Sequence, residues 1–205
     1  MPIPLPLLGD PPPERSDAAR NREALLAAAQ ALIDQCGVEA VTTDAVAARA
    51  GVGKGTVFRR FDSREGLMAA VLNRSETAFQ AAVISGPPAL GPGAPAMDRL
   101  LAFGRARLEL NLHHRALIEA AGRAGSRSYA AVSFTAMHVR HLLNELGVRG
   151  DVPFLATALI APLEVPILVQ QVETEGLSTE RILEGWADLV RRVVTAPALP
   201  TPPRP

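Results

Sequence analysis

A chain of 205 residues can hold one large domain or two small ones. Its 21 basic and 21 acidic side chains cancel and its isoelectric point is near 6.9, so the basic excess common in nucleic-acid binders is absent and any such charge must be local. A single cysteine, Cys36, excludes an internal disulfide, and the lack of valine-rich alternating runs bounded by turns argues against sheet, leaving an all-α chain.

Residues 1–16 begin with prolines set among apolar side chains and lack the basic flank and unbroken apolar core of a secretory signal; a disordered, Pro-rich arm is expected. A first helix is predicted from about Asp17 to Cys36 and ended by Gly37, with Cys36 where a small buried apolar residue would serve. Thr42 is placed to cap a second helix that runs to about Ala50, its hydroxyl accepting from an N–H of the first turn. Val46, Ala47 and Ala50 share the inner face of that helix, and Ala47 is small enough to let another helix approach. Gly51 then supplies the positive φ that a short turn between crossed helices needs.

Val52 and Val57 pack a third helix on the second, leaving Lys54, Gly55, Thr56, Phe58, Arg59 and Arg60 at or near its outward face. The separations from Ala47 to Gly51 and from Gly51 to Val57, four and six residues, follow the helix-turn-helix pattern. Between Arg49 and Arg64 stand five basic side chains, Arg49, Lys54, Arg59, Arg60 and Arg64, against the single acid Asp62. That local charge suits double-stranded DNA, with about three or four phosphates neutralised per subunit.

The stretch from Gly51 to Phe61, followed by Ser63-Arg64-Glu65-Gly66-Leu67, resembles the DNA-binding signature of the tetracycline-repressor (TetR/AcrR) family. Arg22 to Ala29, with Leu32, Ile33 and Gly37, is similar to that family's first helix, so the resemblance covers roughly the first 75 residues. Gly53, Phe58 and Ile33 depart from the serine, tyrosine and phenylalanine the family often carries. Without a phenolic hydroxyl, Phe58 cannot donate to a phosphate and is left with packing or with sugar and thymine-methyl contact. The resemblance implies a nine-helix architecture in which a three-helix head, residues 17–63, is joined by a connecting helix, residues 64–84, to a dimeric helical domain. It also implies a small molecule bound in that domain, which changes the separation of the two heads.

Downstream, Ser63 caps the connecting helix, and residues 85–96, dense in proline and glycine, read as a loop. A fifth helix from about Met97 to Leu112 is apolar on two sides and should be central. A short sixth, near Arg115 to Ala121, precedes a loop at 122–126. A seventh, from about Arg127 to Leu146, sets Val132, Ala136, Val139, Leu143 and Leu146 along one face before Gly147. Residues 152–169 are apolar enough to suggest a membrane span, but Glu164, Pro162 and Pro166 and the missing basic flanks argue for a buried interface. An eighth helix is therefore expected to continue to about Thr174, bent at its prolines. Ser178 caps a ninth with a wide apolar face, Ile182, Leu183, Trp186, Leu189, Val190, Val193 and Val194. Residues 97–195 are expected to form the effector-binding and dimerisation domain that the resemblance implies, and residues 196–205 a disordered tail. Helices near 153–174 and 179–194 are expected to form a two-fold interface.

Candidate ligand residues are Phe103, Arg107, Leu110, Phe134, Met137, His138 and His141, which mix apolar walls with a few polar groups. Arg107, on an otherwise apolar helix, must reach solvent, an acid or an anionic ligand. His138 and His141, three apart, could share a helical face, but no further ligands stand near enough in sequence to complete a metal site, so neither metal nor cofactor is expected. No nucleophile and base pair or phosphate loop points to an enzyme. The expectation is a cytoplasmic homodimeric repressor on a palindromic DNA operator, released by an unidentified small molecule. Lys54, Thr56, Arg59 and Arg60 lead its DNA contacts, with Thr42, Thr43, Gly55 and Phe58 behind. The alternative is a regulator controlled by a protein partner or constitutively bound to DNA.

Overall fold

A computed structural model describes residues 16–121 and 129–196, and among them every regular element is helical. Residues 1–15 of the expected arm, the 122–126 loop, the start of the seventh helix at Arg127 and the tail beyond residue 196 lie outside the described residues, while Ser16, expected in the arm, begins the first helix. The helices are α1 (Ser16–Cys36), α2 (Thr43–Ala50), α3 (Lys54–Phe61), α4 (Arg64–Ser85), α5 (Ala96–His113), α6 (Arg115–Ala121), α7 (Tyr129–Glu145), α8 (Val152–Ile160), α9 (Val165–Val169) and α10 (Thr179–Thr195). The chain divides into two compact units at Val71 and Leu72, within α4.

In the first unit α1, α2, α3 and the first turns of α4 surround Leu25, Leu26, Ala29, Val41, Val46, Ala47, Val57, Phe61, Leu67 and Met68, all buried. Local chemistry sets each boundary. Thr42 Oγ1 accepts from Ala45 N at 3.1 Å, and Gly51 adopts φ 69°, ψ 29°, closing α2 in the left-handed region that a Cβ disfavours. Ser63 Oγ accepts from Gly66 N at 3.0 Å to start α4. A Cβ on Gly66 would lie 2.1 Å from the carbonyl oxygen of Phe61, so the step from α3 to α4 admits only glycine without a backbone shift. Cys36 departs from expectation: it is exposed at the end of α1, where the apolar face has already turned away, and packs in no core.

The second unit is built on Phe79, Val83, Leu100, Phe103, Leu108, Val139, Leu142, Leu143, Ala156, Leu159, Leu163, Leu168, Ile182, Trp186 and Val190. A Cβ on Gly104 would meet the Trp186 ring at 2.1 Å, so the bare backbone of α5 is what lets the indole of α10 lie against it. The expected eighth helix is not one helix, which raises the count among the described residues from nine to ten. Pro162 and Pro166 withdraw two N–H donors; a 3-10 turn at 161–163 and extended backbone at Glu164 (ψ 142°) replace the α pattern. A π-helical turn at 170–174 ends the segment. Two carbonyls around the break gain side-chain donors: Asn111 Nδ2 to Leu163 O at 2.6 Å and Trp186 Nε1 to Leu159 O at 2.7 Å. Among the described residues no single helix is long and apolar enough to cross a membrane. Val152–Leu163 and Val165–Thr174 meet that length and composition only as a pair bent by 45°, and their inner residues Ala156, Leu159, Leu163 and Leu168 are buried in this core.

Gly66→Ala is expected to lower stability by roughly 1–3 kcal/mol, because the atom met is backbone and cannot rotate away. Denaturant titration of the purified variant measures this, and unchanged stability would contradict the close approach.

Candidate nucleic-acid interface and second-unit cluster

The turn that presents α3 is held from behind by Arg64. Its Nε donates to Val41 O at 2.8 Å and its Nη2 to Val38 O at 2.9 Å, with the exposed Glu39 carboxylate 3.7 Å away. These contacts fix the chain entering α2 against the start of α4. Arg64, counted from sequence in the positive footprint, therefore serves the fold of the head.

Arg60 is also turned inward: its Nη2 donates to Ala18 O of α1 at 2.9 Å and the side chain is half-buried. Lys54, at the start of α3, pairs with Asp44 of α2 at 2.8 Å; both side chains are about two-thirds exposed, and such a pair is worth under about 1 kcal/mol, small enough to exchange for a phosphate. Arg49 donates to Gln35 Oε1 at 2.9 Å and is exposed. Arg59 is exposed and, among the described residues, makes no hydrogen bond or ion pair, leaving it the least committed cation on the helix. Beside it Phe58 is 61 % exposed, an aromatic ring the head does not cover. Thr56 and Thr43 are half-buried and Thr42 is exposed at its cap.

Glycine at 53 and 55 has no internal cause. Gly53 caps α3 with extended backbone (φ −72°, ψ 144°) and without a side-chain hydrogen bond, and a Cβ on either glycine would meet nothing within 4 Å. Within a helix, glycine costs about 1 kcal/mol relative to alanine. Gly55 thus weakens α3 and lays its backbone bare on the outward face, as close approach by another backbone requires.

In the second unit the expected ligand residues separate into two groups. Phe103, Arg107, Phe134 and His138 come together, joined by Glu76 and Phe79 of α4 and Thr135 of α7, none of which the sequence singled out for this role. Arg107 is fully buried; its Nη1 lies 2.6 Å from Glu76 Oε1 and its Nη2 donates to Thr135 Oγ1 at 3.2 Å, while its guanidinium stands 4.1 Å from the Phe79 ring centre. The internal acid, among the outcomes open to Arg107, is the one realised. Phe79 and Phe103 rings lie 5.5 Å apart, Phe103 and His138 5.1 Å, and Phe134 stacks on His138 at 6.1 Å. Met137, 61 % exposed, and His141, exposed and 3.6 Å from Glu145, point elsewhere, because α7 turns them off the face that carries His138. The two histidines share no site. Leu110 is half-buried against the core. A cavity of about 550 Å³ lies instead between α5 and α10, lined by Leu101, Arg105, Leu108, Glu109, Leu183 and Trp186 among others, and none of the seven expected ligand residues lines it.

Burial, and then the charges of Arg99 and His141, push His138 down from its ordinary 6.5 to about 4. The unfolded chain therefore binds this proton more readily than the folded one between those values. The contribution to stability is full above pH 6.5 and is lost as pH falls toward 4.

A head of this geometry defines a DNA-binding regulator of the helix-turn-helix class. Residues 25–71 match the family described as bacterial regulatory proteins, tetR family. The chain is also similar in structure to a TetR-like transcriptional regulator from Rhodococcus sp. RHA1 (20 % identity, 87 % of this chain and 98 % of that one, TM-score 0.58). The multidrug binding protein EbrR, solved with imidazole, is similar at 27 % identity over 88 % of this chain and 93 % of that one, TM-score 0.59. NemR of E. coli in its reduced form is similar at 22 % over 87 % and 100 %, TM-score 0.58. No curated protein matches the chain. Residues 25–71 thus carry the DNA-binding region of the tetR family, and the chain shares the fold of these solved regulators.

Gly55→Ala is expected to raise stability by up to about 1 kcal/mol while weakening DNA binding, two opposite signs that one variant reports by thermal unfolding and duplex titration. Arg59→Ala should lower DNA affinity at unchanged stability and Arg60→Ala should lower stability; equal behaviour of the two would contradict their placement. His138→Phe should flatten the acid limb of stability between pH 6.5 and 4, read by denaturant midpoints across that range.

Proposed function

We propose that the chain is a homodimeric repressor that binds a palindromic operator through α3 and is released by a small molecule held in its second unit. The observation that carries the DNA half is the outward face of α3. Arg59 is uncommitted, Phe58 is uncovered, and Gly55 exposes backbone that the head itself has no use for. Lys54 gives up Asp44 for a phosphate, Thr42 and Thr43 offer hydroxyls at the start of α2, and Thr56 and Arg59 read bases. Arg60 supports this surface from behind.

A two-fold dimer sets two such helices on successive major-groove faces, hence the palindrome. Phe154, 68 % exposed on α8, with Ile167 on α9 and Leu189 on α10, supports a subunit interface formed by these helices, since large apolar side chains left in water favour covering. The effector half draws support from EbrR, named as a multidrug binding protein, and from the polar, incompletely paired cluster on α4, α5 and α7. α4 belongs to both units along the chain, so a ligand that prefers one arrangement of α4 shifts DNA affinity by its difference in affinity for the two. The protein acts by binding, not catalysis, in the cytoplasm.

The double variant Phe154→Glu, Leu189→Glu should be a folded monomer by light scattering and circular dichroism, with affinity for a duplex enriched from random sequence reduced at least 100-fold. A monomer that binds the same duplex undiminished would refute the dimeric mode.

A further inference from the structure

α2 and α3 together carry four cations, Arg49, Lys54, Arg59 and Arg60, and a single carboxylate, Asp44. Asp44 stands in the first turn of α2 and Lys54 is the first residue of α3. The two meet: Lys54 Nζ lies 2.8 Å from Asp44 Oδ1 and 3.0 Å from Oδ2, so one ammonium holds both oxygens and the starts of the two helices lie side by side. The head itself asks little of this acid. Thr42 already caps α2 through its hydroxyl, and among the described residues Asp44 bonds no backbone N–H. A negative charge at a helix start and an exposed ion pair each contribute little to stability.

On DNA the acid has a cost that its neighbours do not. The second helix of a helix-turn-helix enters the major groove with its first residues at the base edges, and Lys54 is the first residue of α3. A carboxylate bonded to Lys54 is therefore carried to the edge of the groove. When Lys54 turns to a phosphate, Asp44 is left without its cation beside a polyanion, a penalty exacted on every duplex unless the base next to it offers a hydrogen. An ionised carboxylate only accepts. Guanine and thymine present only acceptors in the major groove, and adenine sets its N7 acceptor beside its N6 amino group. Cytosine presents its N4 amino group with no acceptor of its own on that edge.

We infer that Asp44 is a specificity-determining residue that accepts from the N4 amino group of a cytosine in each half of the DNA site. On other sequences Asp44 keeps hold of Lys54 and withholds one phosphate contact per subunit. The exposed pair is thus a check on the sequence: it opens fully only where a cytosine takes over the acid, and its energy is small enough for one base to decide the exchange. The inference rests on the DNA-binding reading proposed above and adds a base preference set from α2, where a residue of opposite charge to the phosphates reads the groove.

The test uses the full chain and its Asp44→Asn variant, each used to select duplexes from a random pool and then titrated with the enriched site and with a mixed-sequence duplex. Asparagine keeps the shape, removes the charge and both donates and accepts, so it tolerates any base. The native chain should enrich a site with cytosine at one position of each half, and changing that C·G pair to T·A in one half should weaken binding roughly 10-fold. In Asp44→Asn the same base change should cost less than about 2-fold, the preference at the other positions should stay, and mixed-sequence duplex should bind several-fold tighter because Lys54 is free. Circular dichroism confirms that the variant is folded, as expected for an exposed site. If both proteins enrich one site with equal discrimination at every position, or if the variant weakens on all duplexes alike, Asp44 reads no base and the inference falls while the DNA-binding reading stands. If the native chain enriches no duplex, the DNA-binding reading falls and takes the inference with it.

Discussion

The second unit depends on a charge. Arg107 sits on α5 with no exposed surface, and a guanidinium in that position is tolerated only if an acid and a further acceptor come to it. Glu76 of α4 and Thr135 of α7 do so, and the Phe79 ring lies over the cation. Three helices thus take their mutual register from one side chain. Removing either member of the ion pair would strand the other, a loss of roughly 3–5 kcal/mol, whereas an apolar replacement of both would be far cheaper. Such a pair is weak evidence for stability as an end in itself.

The head solves a different problem, which is to fix a short helix while keeping its outward face uncommitted. Gly51 sets the turn, Arg64 ties the chain ahead of α2 to the start of α4, and Gly66 lets α4 begin directly behind α3. Positive charge is consumed in doing so. Of the five cations between Arg49 and Arg64, two are turned onto backbone carbonyls, leaving Arg49, Lys54 and Arg59 toward solvent.

Local signals were the legible ones. Thr42, Gly51, Ser63 and Ser178 announce their caps because the bonds they make span three or four residues, and the structure has each of them. The all-helical class and the inner faces of α2 and α10 follow from periodicity in the same way. What the sequence hid depends on distant partners. Arg60 and Arg64 look like any exposed cation until Ala18, Val38 and Val41 are brought beside them, and Glu76, 31 residues from Arg107, carries no local mark of its role. Met137 and His141 were grouped with His138 by proximity along α7, but rotation around the helix places them off its buried face. The prolines at 162 and 166 were visible as a bend; that they end one helix and begin another follows from Glu164 turning extended between them.

The central claim is that two copies of α3 read one symmetric DNA site, and selection of duplexes from a random pool, followed by affinity against salt, tests it most directly. With Arg49 and Lys54 of each subunit on phosphates and Arg59 on bases, about four phosphates are neutralised and the logarithmic salt slope should be about −4 on a two-fold symmetric sequence. No enrichment, or an asymmetric site with a slope near half that value, would contradict the account.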